Sequence, residues 1–345
     1  MTKTVNGKLD DIGEALAGLI APDASEMPKI AVISDENTAG LYLDRCMASL
    51  ERSAFSAFPI VVPPGESSKN GASFLRILEA MAEIPLTRTD MAAVLGGGVP
   101  GDMGGFAAAT YMRGIPVVQI PTTLLAMVDS AIGGKTGIDL SAGKNLAGAF
   151  HEPVMVYTDT SLLRTLPERE FRSGMAEVVK YGLICGEPLF SMTEAFAEGG
   201  CGDFDALEKI IDICREAKLG IVEGDVTDKG KRQILNLGHT AGHAAEKASG
   251  YSLTHGEAVS MGLVWILTKA ADAGLAPAEL RDRTAKLLGK IGLPTDMPFA
   301  GAELFDIIKN DKKRKGNFID LAVPEDLGKC TLKRVSMEEL REMLG

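Results

Sequence analysis

Apolar and polar positions follow two regimes along this chain. In the first half, Lys29-Ile-Ala-Val-Ile33, Phe58–Val62, Met91–Leu95 and Ile115–Ile120 are short apolar runs of strand length. Between them, residues 8–20, 41–53, 71–82 and about 101–109 carry apolar residues at helical spacing; Leu9, Ile12, Ala15, Leu16 and Leu19 share one side. Strands alternating with helices predict a parallel, doubly wound sheet. From about residue 160 the spacing turns helical, over 168–182, 187–198, 203–222, 231–249, 256–274, 277–292 and 301–309. Strand signals there are confined to Phe318–Val323 and Lys329–Leu332. An α/β N-terminal domain and a mostly α-helical C-terminal domain follow, divided near 155–165.

Composition narrows the function. The 345 residues carry a net charge of −11, which argues against nucleic acid or an anionic membrane as the main partner. With 46% hydrophobic and 24% charged residues, the chain reads as a globular protein long enough for two cores. Cys46, Cys185, Cys201, Cys214 and Cys330 are scattered, with no CxxC pair. That suits a reducing cytoplasm, as does an N-terminus lacking a signal-peptide pattern.

The polar residues that interrupt these patterns carry the chemistry. Gly96-Gly97-Gly98-Val99-Pro100-Gly101-Asp102 follows a strand and opens a helix. Such a loop suits either a pyrophosphate on helix N–H groups or a plain tight turn. Gly133-Gly134-Lys135-Thr136 resembles part of a P-loop, but it lacks the upstream glycine spacing and a preceding apolar strand. Lys135, Lys144 and Asn145, on a flexible glycine-rich stretch, fit an anion site better; solvated surface lysines are the alternative. Glu177 and Lys180, three apart on a predicted helix, share a face flanked by Met175, Ala176, Val178 and Val179. A surface ion pair is the default reading; where that apolar face is buried, the glutamate needs a partner, and a metal is one.

Three of the four histidines, His239, His243 and His255, fall within Asn236–Val259. Two imidazoles from this stretch with a carboxylate such as Glu177 make a three-ligand metal site with an open position; core packing is the alternative. Arg232, Asn236, His239 and His243 at i, i+4, i+7 and i+11 form one polar stripe on the helix predicted over 231–249. Lys218 ends the preceding helix, and Asp311-Lys312-Lys313-Arg314-Lys315 is a basic run that is either solvated or closes over an anion.

Together the motifs SDENTAGLY, PPGESSKN, GGGVPGDMGGFAAATYMRG, PTTLLAMVDSAIGGKTGIDLSAGKNLAGAF, TLPEREFRSGMAEVVKYGLI, RQILNLGHTAGHAAE, HGEAV and DKK resemble the 3-dehydroquinate synthase family of sugar-phosphate cyclases, from about Asp35 to Lys329. The resemblance implies a Rossmann-like NAD-binding α/β domain over 1–160 and an α-helical metal- and substrate-binding domain over 161–345. It implies Zn²⁺, or Co²⁺, on Glu177, His239 and His255. It places His243 as a catalytic histidine that contacts phosphate rather than metal. Asp35, Asn37, Glu66, Lys69, Gly97, Gly98, Asp102, Thr122, Thr123 and Lys144 fall at cofactor positions. Asp129, Lys135, Asn145, Lys180 and Asn236 fall at catalytic positions; Lys218, Arg232 and one of Lys312 and Lys313 fall at substrate positions. Arg113 matches a residue that reaches the neighbouring subunit's site, which implies a homodimer. The implied reaction converts 3-deoxy-D-arabino-heptulosonate 7-phosphate, a small anionic sugar phosphate, to 3-dehydroquinate and phosphate, by transient oxidation, elimination, re-reduction and aldol closure. Two departures, Val226 in the acidic approach to Arg232 and Pro100 in the glycine loop, touch no ligand position.

Three rivals remain: another cyclase of the group, a metal-dependent polyol dehydrogenase, and a non-enzymatic paralogue. Lys218, Arg232, Asn236 and His243 favour a carboxylated heptulosonate over the first. The second would not need the basic cluster. The third has no reason to retain Glu177, His239 and His255 together.

Overall fold

A computed structural model describes residues 2–19, 27–225, 228, 230–309 and 316–345. The chain divides into two compact units, Met1–Leu166 and Pro167–Gly345.

The first unit contains, in order, β1 (Lys3–Asn6), α1 (Ile12–Ala17), β2 (Lys29–Asp35), α2 (Glu36–Arg52), β3 (Ser56–Val62), α3 (Gly71–Glu83), β4 (Met91–Gly96), α4 (Gly98–Thr110), β5 (Val117–Pro121), β6 (Lys135–Leu140), β7 (Gly143–Phe150) and β8 (Met155–Thr158). Six strands form one sheet in the order β1-β8-β5-β4-β2-β3, and every pairing in it is parallel. Side-chain alternation along β2 explains its continuous apolar run. Ile30 and Val32 enter one core with Leu9, Ile12, Leu16, Cys46 and Leu50, whereas Ala31 and Ile33 enter the other with Ile77, Met81, Met103 and Ala107. A strand buried on both faces has no polar face to alternate with. The chain leaves β2 towards β3 on one side and continues from β4 to β5 on the other, so strand order reverses between β2 and β4. Ligand crevices of doubly wound sheets open at the carboxyl ends of strands at such a reversal.

Two elements of this unit differ from the sequence pattern. β1 is four residues long and too short to carry a period. The stretch holding Lys135, Lys144 and Asn145 is not flexible loop: β6 and β7 pair as an antiparallel hairpin, Lys135 opposite Phe150 and Gly137 opposite Gly148. A Cβ at Gly148 would lie 2.0 Å from the Thr136 carbonyl oxygen. The glycines that resembled loop are what lets the two strands close.

The second unit contains α5 (Glu168–Cys185), α6 (Leu189–Glu198), α7 (Phe204–Glu223), α8 (His239–Ala248), α9 (His255–Asp272), α10 (Ala278–Ile291), α11 (Gly301–Ile308), the antiparallel pair β9 (Phe318–Asp326) and β10 (Lys329–Ser336), and α12 (Met337–Leu344). Lys218 lies within α7, which continues to Glu223. α9 packs on α5, α8 and α10, and it buries Val259, Leu263, Ile266 and Leu267. No helix among the described residues is long and apolar enough to cross a membrane.

The predicted helix over 231–249 does not form as one piece. Lys231–Asn236 is a 3-10 turn, Leu237 is extended, and Gly238 takes φ +77 before α8 begins at His239. Leucine could not take Gly238's place: a Cβ there would sit 2.8 Å from Leu263 Cδ2, in a backbone conformation that L residues avoid. Arg232 and Asn236 therefore do not share a helical stripe with His239 and His243.

Candidate active site

In the second unit, α5 and the N-terminal ends of α8 and α9 bring three donors together. Glu177 is fully buried, and its Oε1 lies 3.5 Å from His239 Nε2 and 3.1 Å from His255 Nε2. The donor atoms of Glu177, His239 and His255 all fall within 4.8 Å of one another. His239 Nδ1 lies 3.0 Å from the Leu237 carbonyl oxygen, which can only accept, so Nδ1 carries the proton and Nε2 offers its lone pair. The extended Leu237 and left-handed Gly238 aim that carbonyl back at the ring, so the break in the helix is part of the site. Burial works against a charge on His255, but the Glu177 and Glu246 carboxylates outweigh it and push its pKa up to about 9.

His255 is registered against Glu177 by a series of contacts between α5 and α9. Positions 169, 173 and 177 lie on one face of α5. Arg169 donates from Nε and Nη2 to the two carboxylate oxygens of Glu257, at 2.9 and 2.7 Å. Glu257 also closes a capping box with Thr254, the N-cap of α9. One residue back, the Gly256 N–H donates to Ser173 Oγ over 2.9 Å, inside the core. His255 then meets Glu177. Arg169, Ser173, Gly256 and Glu257 all lie inside the family motifs, yet sequence reading gives none of them a role, since a residue that acts through another carries no chemical signature of its own.

Lys180 pairs with the second oxygen of Glu177, and both side chains are buried. Its ammonium also lies 4.7 Å above the Tyr181 ring. His243 is half-buried, one turn beyond His239, with ring centroids 5.1 Å from His239 and 5.9 Å from His255. Lys218 and Arg232 are buried cations on adjoining elements. Asp225 holds the turn before Arg232, accepting from the Gly230 and Arg232 N–H groups at 2.6 and 3.1 Å. Asn236 ends that turn and donates to the Gln233 carbonyl at 3.1 Å. Lys312 and Lys313 lie outside the described residues.

In the first unit the cofactor candidates gather at the carboxyl ends of the strands. Asp35 ends β2 and caps α2 by accepting from the Thr38 N–H at 2.9 Å. Asn37 follows in the first turn of α2. Gly97 caps α4, and a Cβ on it would lie 2.9 Å from Thr123, just past β5. Thr122 donates its backbone N–H to the Gly96 carbonyl at 3.0 Å. The ammonium of buried Lys69 donates to Asp102 Oδ2 at 2.5 Å and Asn145 Oδ1 at 2.6 Å. Burial opposes the Lys69 charge, but Asp102 and Glu66 hold its pKa above the usual lysine value. Asp139, to which motif reading gives no role, accepts from the Asn145 N–H at 2.8 Å and donates its own N–H to the Lys69 carbonyl at 2.8 Å. Lys144 pairs with Glu66 at 3.1 Å. Asp129 lies in a π-helical turn, Ala126–Ser130, a form often found at functional sites. Lys135 opens β6, and exposed Arg113 has φ +69 in the turn after α4.

Comparison with known proteins covers both units. The N-terminal family of 3-dehydroquinate synthase matches residues 59–173, and its C-terminal family matches residues 174–314. A 3-dehydroquinate synthase of Prochlorococcus marinus (strain MIT 9313) is 43% identical over 343 residues, spanning 96% of this chain and 92% of its own. That of Lactococcus lactis subsp. cremoris (strain SK11) is 41% identical, spanning 98% and 95%. Among solved structures, a 2-deoxy-scyllo-inosose synthase complexed with carbaglucose-6-phosphate, NAD+ and Co²⁺ aligns with a TM-score of 0.87 at 27% identity, over 99% of this chain and 95% of its own. A probable glycerol dehydrogenase from Sinorhizobium meliloti 1021 aligns with a TM-score of 0.67 at 15% identity over 99% and 95%, a likeness of fold alone.

Proposed function

This chain belongs to the 3-dehydroquinate synthase family, and from that membership we propose that it converts 3-deoxy-D-arabino-heptulosonate 7-phosphate to 3-dehydroquinate and phosphate, a lyase reaction leading to aromatic amino acids. The observation that carries the chemistry is the convergence of both imidazole Nε2 atoms on Glu177 Oε1. Two imidazoles and one carboxylate on rigid helices fit a catalytic divalent ion, Zn²⁺ or Co²⁺, with a position left for substrate. When bound, the ion supplies Lewis-acid polarisation of substrate hydroxyls, and NAD supplies a hydride acceptor restored within each turnover.

The protein's own residues do the rest. Glu177, His239 and His255 hold the ion. Lys180 balances the Glu177 charge in a dry environment and, with Asn236 and His243 of the same unit, binds the phosphate; Lys135 and Asn145 take a phosphate role from the family resemblance. Asp129 orients the substrate. His243 carries a proton at a ring nitrogen for the departing phosphate. Lys218 and Arg232, two cations already removed from water, bind the carboxylate of the heptulosonate, joined by Lys312 or Lys313. Asp35, Asn37, Glu66, Lys69, Gly97, Gly98, Asp102, Thr122, Thr123 and Lys144 bind NAD. Their place at the strand ends and the α4 N-terminus supports this assignment. The protein works as a cytoplasmic homodimer, with Arg113 serving the neighbouring subunit's site.

A phosphate-release assay tests the reading. Release from the heptulosonate phosphate, abolished by chelator and restored by Zn²⁺ with no net NADH, is the expected result; no release overturns it. The second reading is a cyclase acting on a sugar phosphate that lacks a carboxylate, as carbaglucose-6-phosphate does. It is favoured by the aligned inosose synthase and disfavoured by the two buried cations. Release from a hexose 6-phosphate would establish it.

A further inference from the structure

We infer that Glu246, which closes the RQILNLGHTAGHAAE motif but has no role assigned to it, is the positioning residue for the metal ligand His255. The carboxylate faces Nδ1 of His255 at ion-pair distance and favours the proton there, so that Nε2 is the nitrogen offered to the ion. This rests on the metal set proposed above.

Each histidine of that set has two ring nitrogens, and a ligand must commit one of them. His239 is committed by the Leu237 carbonyl, 3.0 Å from its Nδ1. For His255 the counterpart is Glu246. Its Oε2 lies 3.9 Å from His255 Nδ1, while Nε2 of the same ring faces Glu177 Oε1 at 3.1 Å. The His255 ring therefore lies between two buried carboxylates, one on each nitrogen. Glu246 sits on α8, seven residues beyond His239, so the helix that supplies one ligand also supplies the support for the other. A carboxylate on the far nitrogen fixes the tautomer, holds the ring plane and raises the basicity of the ligating nitrogen.

The donors of His243, Glu246 and His255 also fall within 4.8 Å of one another, so Glu246 could instead ligate an ion directly. The ring orientation argues against that. His255 Nε2 already converges with His239 on Glu177, and the nitrogen facing Glu246 is the other one. A singly protonated ring serves the Glu177 and His239 set through Nε2 and keeps its proton on Nδ1, where it needs an acceptor.

The test is a competition titration of Zn²⁺ against a chromophoric chelator, with visible absorption of the Co²⁺ form, on the full chain. The wild type, Glu246→Ala, Glu246→Gln and His239→Ala are compared. Glu246→Ala is expected to bind Zn²⁺ about 10–100-fold more weakly, with one site retained and a shifted Co²⁺ band. Glu246→Gln keeps an acceptor for the Nδ1–H and is expected to recover part of that loss; if the alanine variant fails to fold, a weakened affinity and shifted band in the glutamine variant carry the same weight. Wild-type affinity and an unchanged band in the folded variants overturn the inference. So does complete loss of binding in Glu246→Gln, equal to that of His239→Ala, which would make Glu246 a ligand. A wild type that binds no metal overturns the metal-site reading beneath it.

Discussion

Gly256 and Ser173 are in contact at a distance that admits no side chain at 256. A Cβ there would lie 2.0 Å from the Ser173 carbonyl oxygen, and the Gly256 N–H donates to Ser173 Oγ at 2.9 Å. This contact sets how far His255, the preceding residue, stands from Glu177, one turn along α5.

Gly256→Ala is therefore expected to cost about 1–3 kcal/mol through overpacking and to weaken metal binding, because α9 must move away from α5. Ser173→Ala removes the acceptor without adding bulk and should cost about 1–3 kcal/mol. Urea denaturation with a parallel Zn²⁺ titration checks both. A Gly256→Ala protein with unchanged stability and affinity would show that the two helices can separate without consequence.

His239→Ala should lose metal and activity together, and His243→Ala should keep its metal while turnover falls. Metal content per chain measured beside phosphate release separates the two. Equal metal loss in both would mean the four-residue pair is itself a ligand pair.

Lys180→Met takes the lysine from one oxygen of the fully buried Glu177 and leaves His239 and His255 at the other. Breaking one side of a buried pair costs about 3–5 kcal/mol, because the remaining charge stays out of water. The loss should be largest in the metal-free protein and shrink on adding Zn²⁺, which supplies the missing positive charge. Denaturation midpoints with and without metal decide it; an equal loss in both states counts against the Glu177–metal assignment.

The pKa of His255, raised to about 9, gives a pH dependence with a definite sign. A metal ligand must be deprotonated, so near pH 7 binding expels a proton, and affinity should rise with pH until about 9 and then level off. For the metal-free fold the sign is opposite. A raised pKa stabilises the folded form below the unfolded histidine value, and the contribution is lost as pH climbs through about 9. Proton release during a Zn²⁺ titration in weak buffer, repeated across pH 6–10, checks it; metal binding without proton release at pH 7 contradicts it.

The α/β and helical regimes were legible in the sequence because burial imposes a period. β2 is a continuous apolar run because both its faces are covered, and α3, α7 and α10 keep polar faces that make their spacing plain. His239, His243 and Glu177 could be picked out for a similar reason: rare or buried polar residues stand out against an apolar background.

The sequence by itself determined which residues could do chemistry here and roughly which element each occupies. The tertiary structure decided which of them meet. A helical period runs without interruption from Arg232 to His243, yet Gly238 breaks it, because Leu263 of α9 packs against a backbone that only glycine can supply. The glycines of β6 and β7 resemble loop until the partner strand closes on them. Glu177 and His255 are 78 positions apart, and their 3.1 Å approach depends on Ser173 and Gly256, which carry no chemical signature. Local sequence records propensity and burial; the distance between two side chains on different helices is set by the close packing of residues that do no chemistry themselves.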